Sequence, residues 1–292
     1  MPKEILNNYK VYIEEEIDRL FAEISTPYRK VSDAARYSLT LGGKRLRPIL
    51  TLELCKIFGG TPQKAINFAA SLEMIHTYSL IHDDLPCMDN DDMRRGKPSC
   101  HKAFSEDIAL LAGDTLLTEA FTVASKSDLK PKNTLLGINA ISTHAGLHGM
   151  IGGQVLDLSF EKANPDAEML VDMYSRKTSG LIVLAVKLGI IASENFTDDD
   201  LKTAEEYGKN LGIAFQIIDD ILDYTADEKL LGKPIGSDDK NNKTTFVTLF
   251  GIENAKLQAK NYTEKALNSI DKFKGNTEFL KKLTSYLLER SY

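Results

Sequence analysis

Cysteine is scarce: Cys55, Cys87 and Cys100 are the three in 292 residues, and no CxxC or cysteine–histidine ligand spacing accompanies them. A disulfide framework or a structural zinc site is therefore not expected, and a reducing, cytoplasmic setting fits best. A basic excess is also missing. Acidic residues outnumber basic ones by 42 to 36, for a net charge of −6, which argues against broad nucleic-acid binding. The longest apolar run, Leu181 to Ile191, is broken by Lys187 and falls short of the ~20 residues that span a bilayer, so no membrane span is expected. The start of the chain, Met1-Pro2-Lys3-Glu4-Ile5, leads into a charged amphipathic stretch without the apolar core of a signal peptide. No Pro/Ser-rich segment is long enough to divide domains, and no short repeat is visible.

What is present reads as globular and helical. Hydrophobic residues make up 42% and charged residues 27%, enough for a sizeable core. Ile13, Ile17, Leu20, Phe21 and Ile24 recur at helical spacing. Thr61-Pro62 opens a helix with Pro at its first position, continuing through Leu72, Ile75 and Ser79. Further helices are predicted over 106–125, 134–150, 167–191, 198–225, 254–273 and 277–289, with Asp198 to Asp200 placing negative charge at a helix start. No strand pattern emerges. The expectation is one all-α domain over residues 1–292.

Two aspartate clusters stand far apart. The first is Asp83-Asp84-Leu85-Pro86-Cys87-Met88-Asp89, followed by Asp91, Asp92, Arg94 and Arg95; Pro86 should end or kink the helix before it. The second is Asp219-Asp220-Ile221-Leu222-Asp223, where Asp219 and Asp223 share a helical face. Carboxylates on a core-facing helix are costly without a neutralising cation. A solvated acidic helix end is the plain alternative. The sharper reading is hard-cation chemistry, because Mg²⁺ prefers oxygen ligands and bridges carboxylates to substrate phosphates. Cations stand where a second anion could sit. Gly42-Gly43-Lys44-Arg45-Leu46-Arg47-Pro48 reads as a Gly-led turn into a helix, with Lys44 and Arg47 on one face. His76 lies two helical turns before Asp83, and Arg94 and Arg95 have forks that match phosphate oxygens. No activated Ser, Cys or His constellation is present.

These segments, with Gly152-Gly153-Gln154, Lys177-Thr178, Phe215-Gln216, Leu231-Gly232-Lys233 and Asn242-Lys243 in the same order, resemble the short-chain trans-prenyl diphosphate synthases, most of all the bacterial farnesyl type. The six-residue step from Asp83 to Asp89 is similar to the bacterial farnesyl and plant geranylgeranyl form of the first motif. The resemblance implies an isoprenoid-synthase bundle around a deep central cavity, and Mg²⁺-dependent condensation of allylic diphosphates with isopentenyl diphosphate. It implies three Mg²⁺ per site, replaceable by Mn²⁺, and a cytoplasmic homodimer. Asp83, Asp84 and Asp89 would bind metal from one side and Asp219, Asp220 and Asp223 from the other. Gly43, Lys44, Arg47, His76 and Arg95 would hold isopentenyl diphosphate; Arg94, Lys177, Thr178, Gln216 and Lys233 would serve the allylic side. Of these, Asp83, Asp84, Asp89, Arg94, Lys177 and Asp219 would carry catalysis. Lys243 would join the allylic group.

The resemblance also implies that chain growth stops where the helix before Asp83 presents bulk, at Tyr78 and Ser79. A ring at this place goes with a C15 product, farnesyl diphosphate, while a smaller residue goes with longer chains. Geranylgeranyl diphosphate synthesis is the alternative. A terpene cyclase would not need Lys44 and Arg47, and a non-catalytic synthase subunit tends to lose one aspartate cluster. Two departures from the family pattern are Ser179-Gly180 after Thr178, which bears on the wall shape, and the ending Arg290-Ser291-Tyr292, which lacks a basic last residue and bears on tail closure.

Overall fold

A helix that is apolar on every side has to be surrounded. Gly180–Ser193 is such a helix, with Leu181, Ile182, Leu184, Val186, Leu188, Ile190 and Ile191 all buried. Each such side chain contributes roughly 1.5–3 kcal/mol on leaving water. Lys187, the interruption noted in the sequence, reaches out to Glu205 at 2.6 Å. The computed structural model describes residues 2–20, 27–160, 163, 165–225 and 244–288. In chain order the helices are α1 (Pro2–Leu20), α2 (Arg29–Thr40), α3 (Leu46–Ile57), α4 (Pro62–Asp83), α5 (Cys100–Ala103), α6 (Glu106–Ser125), α7 (Pro131–Ala145), α8 (Met150–Phe160) and α9 (Ala167–Tyr174). A π turn (Ser175–Ser179) then leads into α10 (Gly180–Ser193), followed by α11 (Asp198–Thr225), α12 (Phe246–Phe250), α13 (Ile252–Ile270) and α14 (Glu278–Leu288).

The all-α expectation holds. Among the described residues the extended pieces are two dipeptides, β1 (Met93–Arg94) and β2 (Lys97–Pro98), paired antiparallel with Met93 opposite Pro98. Helix α10 packs against α3, α4, α7 and α11; α6 covers α4 and α2, and α13 covers α11. Close approach at the centre needs missing side chains: a Cβ at Gly189 would lie 2.3 Å from the Thr51 carbonyl oxygen of α3. The Thr51 hydroxyl in turn donates to the Ala185 carbonyl of α10 at 3.0 Å.

Boundaries follow local chemistry. Helices α6 and α11 fall where the periodicity puts them. At the head of α11 the Thr197 N–H and hydroxyl both donate to Asp200 at 2.8 Å, and the Asp200 N–H returns to the Thr197 hydroxyl at 3.3 Å, a reciprocal cap. The expected helix over 134–150 is corrected: α7 starts earlier, at Pro131, and ends at Ala145, because Gly146 is extended (ψ −158°) and redirects the chain before α8. The expected helix over 167–191 is three segments, with one wide π turn between α9 and α10. Contrary to expectation, a helix of membrane-spanning length and composition is present. Helix α6 is long and apolar enough by composition to cross a membrane, although it packs on α2, α4 and α7 as one layer of the bundle.

Glu194 ties three helices together. It sits in the left-handed region (φ 60°) at the end of α10. Its carboxylate accepts from Lys64 Nζ at 2.7 Å, from the Lys130 N–H at 2.7 Å and from Asn133 Nδ2 at 3.2 Å. These donors, Lys64 first, pull its carboxyl down to about 2. A group depressed in the folded state stabilises above its unfolded value of 4.5, and that contribution is lost as pH falls toward 2. Glu194→Gln is expected to lower the melting temperature at pH 7 by about 2–4 °C. In calorimetry the gap to wild type should narrow below pH 4.5; a gap independent of pH would contradict the clamp.

Candidate active site

Two helices end in carboxylates. Asp83 is the last residue of α4 and Asp84 its C-cap, while Asp219, Asp220 and Asp223 occupy the last two turns of α11, where no basic residue stands. The negative end of the helix dipole disfavours carboxylates there. Pro86 follows directly, and the chain folds back: the Met88 N–H donates to Leu85 O at 2.8 Å and the Asp89 N–H to Asp83 O at 2.9 Å. This turn absorbs the extra residues of the first motif and returns Asp89 toward Asp83.

Both clusters open on one cavity of about 960 Å³ between α3, α4, α8, the π turn and α11. Of the sequence-derived candidates, Gly43, Lys44, Arg47, His76, Tyr78, Ser79, Asp83, Asp89, Arg94, Arg95, Lys177, Thr178, Gln216 and Asp219 line it. Asp84, Asp220 and Asp223 are not among the lining residues. Lys233 and Lys243 lie outside the described residues, as does the ending at Arg290.

Asp83 is crowded. Burial above all, with the neighbouring charges of Asp89 and Asp84, pushes its carboxyl up to about 6 against the opposing pull of Lys177 and Arg94. Asp84 is buried and paired with Arg94, which also reaches Asp91 at 3.2 Å. Asp220 is buried and turned to Tyr174 of α9 and Phe246 of α12 instead of the cavity. There it accepts from the Tyr174 hydroxyl at 2.6 Å, the Phe246 N–H at 3.1 Å and Gln216 Nε2 at 3.2 Å. Gln216 Oε1 meanwhile accepts from Thr178 at 2.9 Å, linking α11 to the π turn. Among the described residues no three His, Cys, Asp or Glu converge tightly enough to hold an ion by themselves. Mg²⁺ takes few protein ligands, since it keeps waters and completes its shell with phosphate oxygens. Carboxylates crowded at two helix C-termini, all hard oxygen donors, fit such an ion.

The basic side is built from a loop. Lys44 precedes α3 rather than lying within it, so it and Arg47 do not share a helical face as expected. Gly42 (φ 86°), Gly43 (φ 124°) and Arg45 (φ 48°) instead coil the backbone so that both line the cavity. Lys44 Nζ stands 5.7 Å over the Phe215 ring. Arg95 donates to the Gly42 carbonyl, and its guanidinium fills the space where a Gly43 Cβ would be, 2.7 Å from the Arg95 carbon. Arg47 lies 3.3 Å from His76 Nε2. Burial first, then the Arg47 and Arg95 charges, holds His76 well below its usual range. The imidazole is therefore neutral. Because arginine only donates, Nε2 is the acceptor and Nδ1 carries the proton.

The π turn holds Lys177, which pairs with Asp157 of α8. Gln154 Nε2 is buried at the cavity without a hydrogen-bond partner. The departure at Ser179 affects packing, not the cavity wall: Ser179 is buried against α11, where a Cβ on Gly212 would lie 2.4 Å from its hydroxyl. Tyr78 stands one turn and a residue before Asp83, 5% exposed, edge-on to His82 at 5.7 Å. Its hydroxyl has no hydrogen-bond partner, unlike that of an ordinary core tyrosine, and burial followed by the Asp83 charge pushes it up to about 12. Ser79 donates to the His76 carbonyl at 2.9 Å. Arg45, Glu73, Asp157 and Tyr174 carry no mark in the sequence that sets them apart as site residues, save that Asp157 stands three residues after Gln154, on the same face of α8.

Residues 28–286 match the polyprenyl synthetase family. The chain is 42% identical over 263 residues to farnesyl diphosphate synthase of Micrococcus luteus, covering 90% of each. It is 40% identical to geranylgeranyl pyrophosphate synthase 3, chloroplastic, of Arabidopsis thaliana, covering 89% of this chain and 75% of that protein. In structure it is similar to the geranyltransferase of Helicobacter pylori complexed with magnesium and isoprenyl diphosphate. That likeness has a TM-score of 0.83 and 33% identity, and covers 98% of this chain and 96% of that one.

A side chain at Gly43 would meet the Arg95 guanidinium and strain a backbone held at φ 124°. Inorganic diphosphate with MgCl₂ is expected to raise the melting temperature of the wild type, and Gly43→Ala should lose at least half of that rise by displacing Arg95. An equal rise in both proteins would contradict this reading of the loop.

Proposed function

The chain belongs to the polyprenyl synthetase family and is a prenyltransferase, and from that premise we propose that it extends dimethylallyl and geranyl diphosphate with isopentenyl diphosphate, giving mainly farnesyl diphosphate. One observation carries the reading: a single cavity collects Asp83, Asp89 and Asp219 with Lys44, Arg47, His76 and Arg95, and continues along an apolar wall of Leu117, Val155, Leu158 and Ile182.

The reaction breaks an allylic C–O bond, joins the resulting carbocation to the double bond of isopentenyl diphosphate, and releases a proton to the departing diphosphate. Asp83 and Asp89 from one helix end and Asp219, with Asp223 one turn on, from the other would hold Mg²⁺, three ions in our reading, with Mn²⁺ able to replace them. Asp84, held by Arg94, and Asp220, held by Tyr174 and Gln216, would support the two helix ends rather than bind metal as expected. When bound, the metal neutralises charge developing on the leaving diphosphate. Arg94, placed between Asp84 and Asp91, would take the allylic phosphate oxygens, and Lys177 would add a fixed positive charge beside them. Lys233 is assigned to the same group. Lys44, Arg47 and Arg95 would bind the second diphosphate. Neutral His76 would orient Arg47 without adding charge. Gln154, Gln216 and Thr178 line the cavity, where an amide or hydroxyl oxygen would face the carbocation, while the apolar wall would keep out water that quenches it. No nucleophile is required.

We place the protein in the cytoplasm as one domain and as a homodimer. Leu110 and Leu111 of α6, Leu135 of α7 and Leu147 are exposed, and a pairing that covered them would bury apolar surface.

Tyr78 supports the C15 product. Its ring lines the cavity one turn and a residue before Asp83, where it would block a growing chain, since a packed interior yields little. Chromatography of products from dimethylallyl and geranyl diphosphate should give mainly C15 from wild type, and C20 or longer from Tyr78→Ala. Mainly C20 from wild type would favour a geranylgeranyl diphosphate synthase, and no product would overturn the prenyltransferase reading.

A further inference from the structure

Lys44 and Arg47 have a role in the reading above; Arg45, between them, does not. It is one of the most enclosed charges among the described residues, its side chain 0% exposed. Its guanidinium donates to Glu73 at 2.6 Å and to the Leu39 carbonyl, at the end of α2, at 2.7 Å. Glu14 of α1 lies 3.5 Å from its Nε. The Glu73 side chain is 3% exposed.

A buried ion pair of this kind is weak evidence for stability, since an apolar pair of similar volume often does as well. Its position suggests another purpose. Arg45 holds φ at 48°, a conformation uncommon for a residue with a side chain, and it does so at the step where the Gly42-Gly43 coil turns into α3. That step decides where Lys44 on one side and Arg47 on the other emerge. A planar fork that bonds two acceptors on different helices fixes its own backbone far better than a flexible ammonium could. The anchor is also in register with the pocket. Glu73 and His76 are three apart on α4, so they lie on one face, and His76 accepts from Arg47. Arg45, Glu73, His76 and Arg47 thus close a ring between the loop and α4.

We propose that Arg45 and Glu73 are positioning residues for the isopentenyl diphosphate pocket: paired with each other, they set the backbone that aims Lys44 and Arg47 at the diphosphate. The proposal rests on the assignment of that pocket made above.

The test is steady-state kinetics with each substrate varied in turn, on wild type, Glu73→Gln, Arg45→Gly and the double variant, with melting temperatures alongside. Glycine accepts the left-handed backbone, so Arg45→Gly removes the fork without forcing a new conformation, and the double variant leaves neither charge buried alone. KM for isopentenyl diphosphate is expected to rise about tenfold or more in every variant, with KM for geranyl diphosphate within about twofold of wild type. The double variant should be no worse than the worse single, because the two act as a unit. Unchanged KM in Arg45→Gly or in the double variant would overturn the proposal, as would equal rises for both substrates or additive effects. Wild type that makes no prenyl product would overturn the pocket assignment and the proposal with it, whereas normal wild-type turnover with unaltered variants sinks the proposal alone.

Discussion

Carboxylates at the negative ends of two helices are the constraint on which the rest of this protein depends. Asp83 closes α4, and Asp219 to Asp223 lie in the last turns of α11. Both ends border the same cavity. Helix dipole, burial and mutual repulsion all work against this placement; burial first, then the charges of Asp89 and Asp84, pushes Asp83 up to about 6. Under the proposed function the arrangement would become favourable when divalent cations and a diphosphate enter together.

Holding like charges near one another requires a rigid frame. Helix α10, buried on all sides and touching α3, α4, α7 and α11, fixes the distance between the two acidic ends. The π turn before it lets Lys177 and Thr178 leave the regular helix path, and wide turns of this type recur at functional sites. Asp220 is spent inward on Tyr174, Gln216 and the Phe246 N–H, so the neutral donors that satisfy it also lock the orientation of α11.

Much of this was legible in the sequence because it is written locally. Helix α11 was bounded correctly by its acidic start and its long apolar stripe, and the clusters announced themselves through density and order. What stayed hidden depends on distant partners. Arg45 with Glu73, Lys177 with Asp157 and Tyr174 with Asp220 are separated by 28, 20 and 46 residues, and no local pattern marks them. Nor does adjacency reveal direction: Asp83 and Asp84 are neighbours, yet one lines the cavity and the other is buried against Arg94. The helix expected over 134–150 failed at Gly146, where an extended backbone redirects the chain. The six-residue step from Asp83 to Asp89 becomes intelligible once the Asp89 N–H is seen returning to the Asp83 carbonyl.

The claim that both acidic helix ends act on one substrate through shared divalent cations can be measured as binding, apart from turnover. Calorimetry with an unreactive thio analogue of geranyl diphosphate should show binding in MgCl₂ and little in EDTA. Asp83→Asn and Asp219→Asn should each weaken it about tenfold or more while leaving the melting temperature near or above wild type. Binding that survives EDTA, or that either substitution leaves unchanged, would contradict the account.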